Sequence, residues 1–161
     1  MERINRRIDN PYFWIEYSKK NEIFLNCLNT VVVDGNNFTD SIFKTTGKKD
    51  ILKIQFIIND YKSNPISYLK LFLLEFNDKL YSDIGNKELY YIIEDVLDKY
   101  VSVDIRLMAV FAEEDESEFM RLDNGQDILL LTTKFYDKEG TYCYLEECLR
   151  MELYDFYDMG R

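Results

Sequence analysis

The chain has 161 residues, of which 47% are hydrophobic and 16% aromatic, so its composition excludes a disordered chain and allows a packed core. It contains no His, and 30 acidic residues against 20 basic ones give a formal net charge of −10. This balance argues against nucleic acid and against an anionic membrane as partners, because both need a basic face. The length predicts a single domain, 1–161.

No segment of the sequence reads as a membrane span or a secretory signal. The longest apolar runs are far shorter than the roughly 20 residues that a spanning helix needs. The three cysteines, Cys27, Cys143 and Cys148, match neither a zinc pattern nor a Cys-x-x-Cys motif. We therefore expect free thiols in a reducing environment and a cytoplasmic location without membrane attachment.

The first part of the chain is predicted to form an antiparallel meander. Aromatic residues favour a strand over 12–17, and alternating apolar residues predict strands over 22–33, with a bulge or break near Asn29, and over 51–58. Residues 38–45 are predicted to form another strand or a loop. The connections are only a few residues long, which parallel strands do not allow.

In the middle of the chain the apolar residues no longer alternate but recur at helical spacing. Asn64-Pro65 suits the start of a helix, and the apolar spacing over 66–80 favours a helix, although a strand also fits this segment. A continuous apolar stripe predicts a second helix over 86–100.

The remainder of the chain alternates strands with turns. Strict alternation predicts a strand over 101–111, which is followed by an acidic loop over 112–118 and a short strand over 119–122. A hairpin joins strands over 127–136 and 141–145, and 146–157 fits a helix slightly better than a strand. The predicted fold class is α+β, an antiparallel sheet with two or three helices packed on one face.

The sequence offers little support for catalysis. The absence of His excludes a Ser-His-Asp triad and His-ligated metal, and no Gly-rich phosphate loop is present. Asp34, Asp60 and Lys62 only loosely match a metal-dependent nuclease core, whose acids would hold Mg²⁺. We therefore predict no catalytic residues, no metal site, no cofactor and no enzymatic activity.

The excess of acidic residues lies entirely in the second half, because residues 1–80 carry a net charge of +2 and residues 81–161 a net charge of −12. Carboxylates steer association with basic proteins, and neighbouring Tyr side chains can anchor an interface. A solvated acidic surface is the alternative. The candidate partner-binding residues are Glu113, Glu114, Asp115, Glu116, Glu118, Asp123, Asp127, Glu152, Asp155 and Asp158.

In its small size, acidity, aromatic content and lack of motifs, the chain resembles the acidic immunity proteins of bacterial polymorphic and contact-dependent toxin systems. The resemblance covers general character only and assigns no residue. It implies a cytosolic protein that neutralises a basic cognate toxin, such as a nuclease, by one-to-one binding. The alternatives are a phage anti-defence protein that mimics DNA and a carboxylate-dependent enzyme. The oligomeric state is left open.

Overall fold

A six-stranded antiparallel sheet dominates the part of the chain that the computed structural model describes, namely residues 3–44, 50–74, 76 and 86–157, without the side chains of 86–90. The helices and strands in chain order are β1 (Ile4–Arg7), α1 (Phe13–Lys20), β2 (Ile23–Asp34), α2 (Asn37–Phe43), β3 (Asp50–Asp60), β4 (Pro65–Leu73), α3 (Asn86–Lys99), β5 (Ser102–Phe111), α4 (Glu114–Met120), β6 (Asp127–Asp137), β7 (Gly140–Leu149), a 3₁₀ turn (Met151–Leu153) and β8 (Tyr154–Tyr157).

The strand order in this sheet is β2-β3-β4-β7-β6-β5. Every neighbouring pair in it is antiparallel. The short strands β1 and β8 form a separate parallel pair, in which Ile4 lies opposite Tyr154 and Arg7 opposite Tyr157. This pair ties the first strand to the last.

One face of the sheet, the inner face, carries the main core. Four alternate residues of β3 point to it and are completely buried, which is the period-two pattern of a strand with one face on a core. The helices α1 and α3 and the β1–β8 pair cover this face. The principal core residues are Leu52, Ile54, Phe56 and Ile58 of β3, Phe13 and Trp14 of α1, Ile92, Val96 and Leu97 of α3, and Ile4 and Tyr154 of the strand pair.

The opposite face, the outer face, is covered only in part. The side chain of Met120 brings α4 against Ile57 and Tyr68, while Ile42 brings α2 against Phe72. The predicted α+β class with an antiparallel sheet is thus confirmed: two helices pack on the inner face, and two further short helices of the described chain lie on the outer face.

Two segments predicted as strand, or as strand or loop, are helices. The strand predicted over 12–17 is wrong, because α1 places Phe13, Trp14 and Tyr17 on one helical face and buries the first two. Helix α2 replaces the strand or loop at 38–45. It begins with a capping box in which Thr39 N–H donates to Asn36 Oδ1 over 3.0 Å and Asn36 N–H donates to Thr39 Oγ1 over 2.8 Å.

The helix predicted over 66–80 is wrong where the structure describes it, because Pro65–Leu73 is the strand β4. This strand lies between β3 and β7, and eight of its nine residues are buried, so both of its faces are covered. A strand buried on both faces reads as a continuous apolar run, and its residues also match helical spacing. Residues 75 and 77–80 of the predicted helix lie outside the described residues.

The acidic loop predicted over 112–118 and the strand over 119–122 are also wrong. Residues Glu114–Met120 form α4, and Arg121 ends the helix in a left-handed conformation with φ 55°. The backbone N–H of Glu113 donates to Glu116 Oε1 over 2.8 Å. Acidic residues in the first turn favour a helix, because their negative charges are attracted to the positive end of the helix dipole.

The helix favoured over 146–157 does not form. Strand β7 continues to Leu149, and β8 follows after the 3₁₀ turn. The remaining strand and helix predictions are confirmed, including the long strand β2, whose pairing with β3 shifts register between Cys27 and Asn29 as the predicted bulge requires.

Candidate functional site

A buried ion pair lies on the inner face between the first strand and the centre of the sheet. Arg6 of β1 donates from Nη1 to Glu147 Oε1 over 2.9 Å and from Nη2 to Oε2 over 2.8 Å. Trp14 Nε1 donates to the same Oε1 over 2.6 Å. Arg6 is 4% exposed and Glu147 1%, so both charges are almost fully removed from water.

Local structure brings these residues together. The alternation in β1 buries Ile4 and Arg6 while Asn5 and Arg7 stay exposed. The guanidinium carbon of Arg6 lies 4.5 Å from the ring centre of Phe13 and 5.5 Å from that of Trp14. These aromatic faces replace part of the lost hydration.

Glu147 is desolvated by its neighbours in the sheet. Its cross-strand partners are Leu69 on β4 and Leu131 on β6, so its carboxylate is flanked by apolar side chains on both sides. Burying an isolated charge in such a position is strongly unfavourable. The bidentate ion pair with Arg6 compensates this cost for the Glu147 carboxylate.

A small cavity, the inner chamber, adjoins this ion pair between α1, α3 and the sheet. Apolar side chains form most of its wall, including Val96 and Phe135, while Arg6, Asn10, Thr133 and Glu147 add polar atoms. Its volume of about 30 Å³ accommodates a water-sized molecule and not an organic ligand. Arg6 lines the chamber, and its Nε is buried and has no hydrogen-bond partner among the described residues.

The residues predicted at 113–118 divide between solvent and the outer face. Glu113, Glu114 and Glu118 are exposed. Asp115 Oδ2 lies 2.8 Å from Lys70 Nζ and accepts a hydrogen bond from the Tyr68 hydroxyl over 3.1 Å. Burial raises the pKa of Asp115, but Lys70 and Tyr68 outweigh that effect and leave it below its usual value.

Glu116 is the exception within that run, because it is only 5% exposed. Burial raises the pKa of its carboxyl group. Its hydrogen bond from Glu113 N–H identifies it as a capping residue of α4 and not as a surface residue.

The other predicted acids belong to different parts of the surface. Asp123 and Asp127 are exposed around the start of β6. Asp155 pairs with Arg3 at 2.7 Å and Glu152 with Arg150 at 3.3 Å. Asp158 lies outside the described residues. Of the predicted acids, Asp115, Glu152 and Asp155 are thus paired with cations of the chain itself.

Sequence reasoning missed Arg6, Trp14 and Glu147. The only available signal was the single Trp of the chain. Arg6 is one of three basic residues in the first seven, and Glu147 follows another Glu, so neither residue stands out by its pattern.

No further chemistry of the classes considered appears in the described residues. There, no three His, Cys, Asp or Glu side chains come together as ligands for a metal ion. Within the same ranges, no helix is long and apolar enough to cross a membrane.

No protein-family model matches the sequence, and no curated protein matches it either. Solved structures do match in fold. The effector domain of PhnF from Mycobacterium smegmatis superimposes with a TM-score of 0.81 at 10% identity, over 98% of this chain and 99% of that one. The chain therefore shares the fold of the PhnF effector domain.

Other solved structures agree. The C-terminal domain of the histidine utilization repressor from Pseudomonas syringae has a TM-score of 0.75 at 10% identity, over 87% of this chain and 98% of that one. A GntR-family transcriptional regulator from Enterococcus faecalis has a TM-score of 0.67 at 18% identity, over 83% and 97%. At these identities the likeness establishes the fold alone.

These neighbours correct the functional predictions. The resemblance to toxin immunity proteins is wrong, and so are a basic toxin as partner and the role of an antitoxin, because the neighbours are regulator domains. Neither the DNA-mimic nor the carboxylate-enzyme alternative matches them. The exclusion of nucleic acid is also overturned, since transcriptional regulators are among the neighbours. The prediction that the chain is not an enzyme agrees with them.

Proposed function

We propose that this chain is a ligand-sensing regulatory domain that binds a small molecule in the inner chamber. Two observations support the proposal: the fold matches a domain named for its effector, and the chamber combines an apolar wall with a few desolvated polar groups. Such a combination is typical of small-molecule sites. The single observation that carries most weight is that Arg6, a lining residue of this chamber, has a buried Nε with no hydrogen-bond partner among the described residues.

Ligand entry requires the chamber to widen, because its present volume is about 30 Å³, whereas pockets that hold drug-sized ligands measure roughly 300 Å³ or more. The helices α1 and α3 form one wall, and the sheet forms the other. Since the sheet is fixed by hydrogen bonds from strand to strand, we expect the helices to move. A ligand that binds only the widened state selects that state from the ensemble.

We infer that sensing serves the control of transcription, as the name of the Enterococcus faecalis neighbour indicates for that protein. A cytoplasmic location and a single domain remain our predictions.

A thermal-shift screen with small metabolites tests the proposal. A ligand at one hundred times its Kd stabilises the native state by about 2.7 kcal/mol, which raises Tm by roughly 5–10 °C for a domain of this size. Ile93→Trp fills the chamber from α3 and should abolish the shift. Tyr91→Trp, on the same helix at 69% exposure, should preserve it.

Two results contradict the proposal. One is a screen in which no compound raises Tm. The other is a ligand whose stabilisation persists in the Ile93→Trp protein, because such a ligand binds elsewhere. Circular dichroism of both variants establishes that the fold is retained.

A further inference from the structure

The charge in the wall of the inner chamber is balanced by two residues. Among the described residues that line the chamber, Arg6 and Glu147 are the only ones with an ionisable side chain. Two hydrogen bonds of 2.9 and 2.8 Å join them, and Glu147 also accepts the Nε1–H of Trp14 over 2.6 Å. The lining therefore carries no net charge, although the net charge of the whole chain is −10.

A charged ligand finds no free counter-charge in this wall. A carboxylate that approached Arg6 would bring a second negative charge to Glu147, and an ammonium group that approached Glu147 would bring a second positive charge to Arg6. In either case one of the three charges is left without a partner. Because Arg6 is 4% exposed and Glu147 1%, that charge would also be removed from water, which is strongly unfavourable. The pair thus disfavours ligands of either sign.

Few hydrogen-bonding groups of the lining are left for a ligand. Asn10 Oδ1 accepts the backbone N–H of Tyr12 over 3.0 Å, and the Asn10 amide group donates to Glu16 over 3.0 Å. Thr133 adds a hydroxyl group, which is able to donate and to accept. Arg6 Nε is a buried donor that has no partner among the described residues. An acceptor atom that reached it would satisfy a group whose burial is otherwise unfavourable.

The rest of the lining is apolar. Its side chains come from α1, α3 and the sheet, and include Ile15, Ile93, Val96, Phe56 and Phe135. Removal of apolar ligand surface from water against such side chains is favourable and has no directional requirement. The lining therefore fits a hydrocarbon body with a single acceptor oxygen.

We propose that the ligand of the inner chamber is an uncharged, largely hydrocarbon molecule with one carbonyl oxygen, and that the pair of Arg6 and Glu147 sets this selectivity. The inference rests on the proposed function, because it concerns the same chamber. The carbonyl oxygen accepts the Nε–H of Arg6 while both hydrogen bonds between Arg6 and Glu147 are kept. The hydrocarbon body lies between α3 and the sheet. Since no ligand charge takes part, the affinity does not depend on ionic strength.

Four compounds with one aromatic ring test this selectivity in calorimetric titrations of the whole chain. Acetophenone is uncharged and has a carbonyl oxygen, toluene lacks the oxygen, benzoate is an anion and benzylamine is a cation. Acetophenone should bind roughly tenfold more tightly than toluene, because only acetophenone accepts a hydrogen bond from the guanidinium. Benzoate and benzylamine should bind at least about a hundredfold more weakly than acetophenone. Ile93→Trp should abolish the binding of acetophenone and toluene.

The variant Glu147→Gln tests the role of the ion pair. It leaves Arg6 as the one charged residue of the described lining, so benzoate should bind at least about tenfold more tightly than acetophenone and should raise the Tm of this variant. Glu139→Gln makes the same chemical change at an exposed residue outside the chamber and should keep the preference for acetophenone.

A double variant provides the measurement if Glu147→Gln does not fold. Arg6→Met with Glu147→Leu keeps the lining neutral and removes the guanidinium. Acetophenone should then bind no more tightly than toluene, and benzoate should remain about a hundredfold weaker than acetophenone in the native chain. A preference for acetophenone that survives in this double variant overturns the role of Arg6.

The possible results separate this inference from the proposed function. If benzoate or benzylamine binds the native chain and Ile93→Trp abolishes that binding, the chamber accepts a charged ligand; the inference is then wrong, while the proposed site stands. Equal affinity for acetophenone and toluene, or a preference for acetophenone that persists in Glu147→Gln, also overturns the inference. If Ile93→Trp abolishes the binding of no compound, the proposed function fails and this inference fails with it.

Discussion

The buried pair between Arg6 and Glu147 leads to a sharp prediction about stability. Glu147→Gln preserves the size of the side chain and one acceptor oxygen but removes the negative charge. The guanidinium of Arg6 then remains 4% exposed with no counter-charge. Removing one member of a buried ion pair typically costs about 3–5 kcal/mol, and the apolar surroundings of Leu69 and Leu131 place this variant in that range.

Urea unfolding followed by circular dichroism measures the effect. For a domain of this size, a loss of about 3–5 kcal/mol lowers Tm by roughly 6–20 °C. The double variant Arg6→Met with Glu147→Leu should recover most of the loss, because replacing both charges with apolar groups is often neutral or stabilising. Asp155→Asn, which breaks the exposed pair with Arg3, should leave the urea midpoint unchanged.

Two outcomes would refute this reasoning. If Glu147→Gln lowers the free energy of unfolding by less than about 1 kcal/mol, the carboxylate does not compensate a buried charge. If the double variant is as unstable as the single one, the loss reflects packing or the hydrogen bond from Trp14, and the charge of Arg6 is not its cause.

Three further predictions concern a helix cap, a buried acid and the thiols. Asn36→Ala should lower the free energy of unfolding by about 1 kcal/mol in urea titration, because it removes the cap of α2; no change would show that the cap is dispensable. Glu116→Gln should stabilise the protein at pH 7: burial raises the pKa of Glu116 above its ordinary 4.5, so folding disfavours the carboxylate once the pH rises past that value. The gain should vanish below pH 4.5 in unfolding curves taken across the pH range, and a gain that is independent of pH would contradict this cause. A thiol reagent should modify the partly exposed Cys27 in the native protein, whereas Cys143 and Cys148, whose pKa values burial raises, should react only after unfolding; fast native reaction of all three would contradict their burial.

The sequence predicts elements well where only one face of an element meets the core. In α3 the apolar residues recur at the helical period, and the predicted helix is confirmed. In β3 the inner-face alternation alone was enough to predict the strand, although Ile51 and Ile57 are buried on the other face. The bulge near Asn29 was also readable, because a polar residue interrupts an apolar face. In these elements the spacing of the apolar residues in the sequence matches the spacing of the residues that are buried in the fold.

Prediction failed where tertiary context decides. Strand β4 is buried on both faces and so carries no period. Helix α1 is rich in aromatic residues, whose strand preference is overridden when Phe13 and Trp14 pack on the guanidinium of Arg6. Phe13 lies seven positions after Arg6 in the chain, but Glu147, which forms the ion pair with Arg6, lies 141 positions after it.

The functional prediction failed for a related reason. Net charge describes what kind of partner a surface attracts, and it does not identify a site. Of the acids predicted to bind a partner, Asp115, Glu152 and Asp155 are paired with cations of the chain itself, and Glu116 is buried. Adjacent residues also differ in role, because Glu146 lies on the outer face of the sheet while Glu147 lines the inner chamber.

The parallel pairing of β1 with β8 has a mechanical consequence. When a chain is pulled by its two ends, the start of β1 and the end of β8 are drawn in opposite directions along the same axis. This geometry shears the pair, so its hydrogen bonds bear the load together, whereas bonds in an unzipping geometry break one after another. The bidentate pair between Arg6 and Glu147 adds a second attachment between β1 and the main sheet. We therefore expect the two ends of the fold to act as a clamp, which resists extension until β1 detaches as a whole.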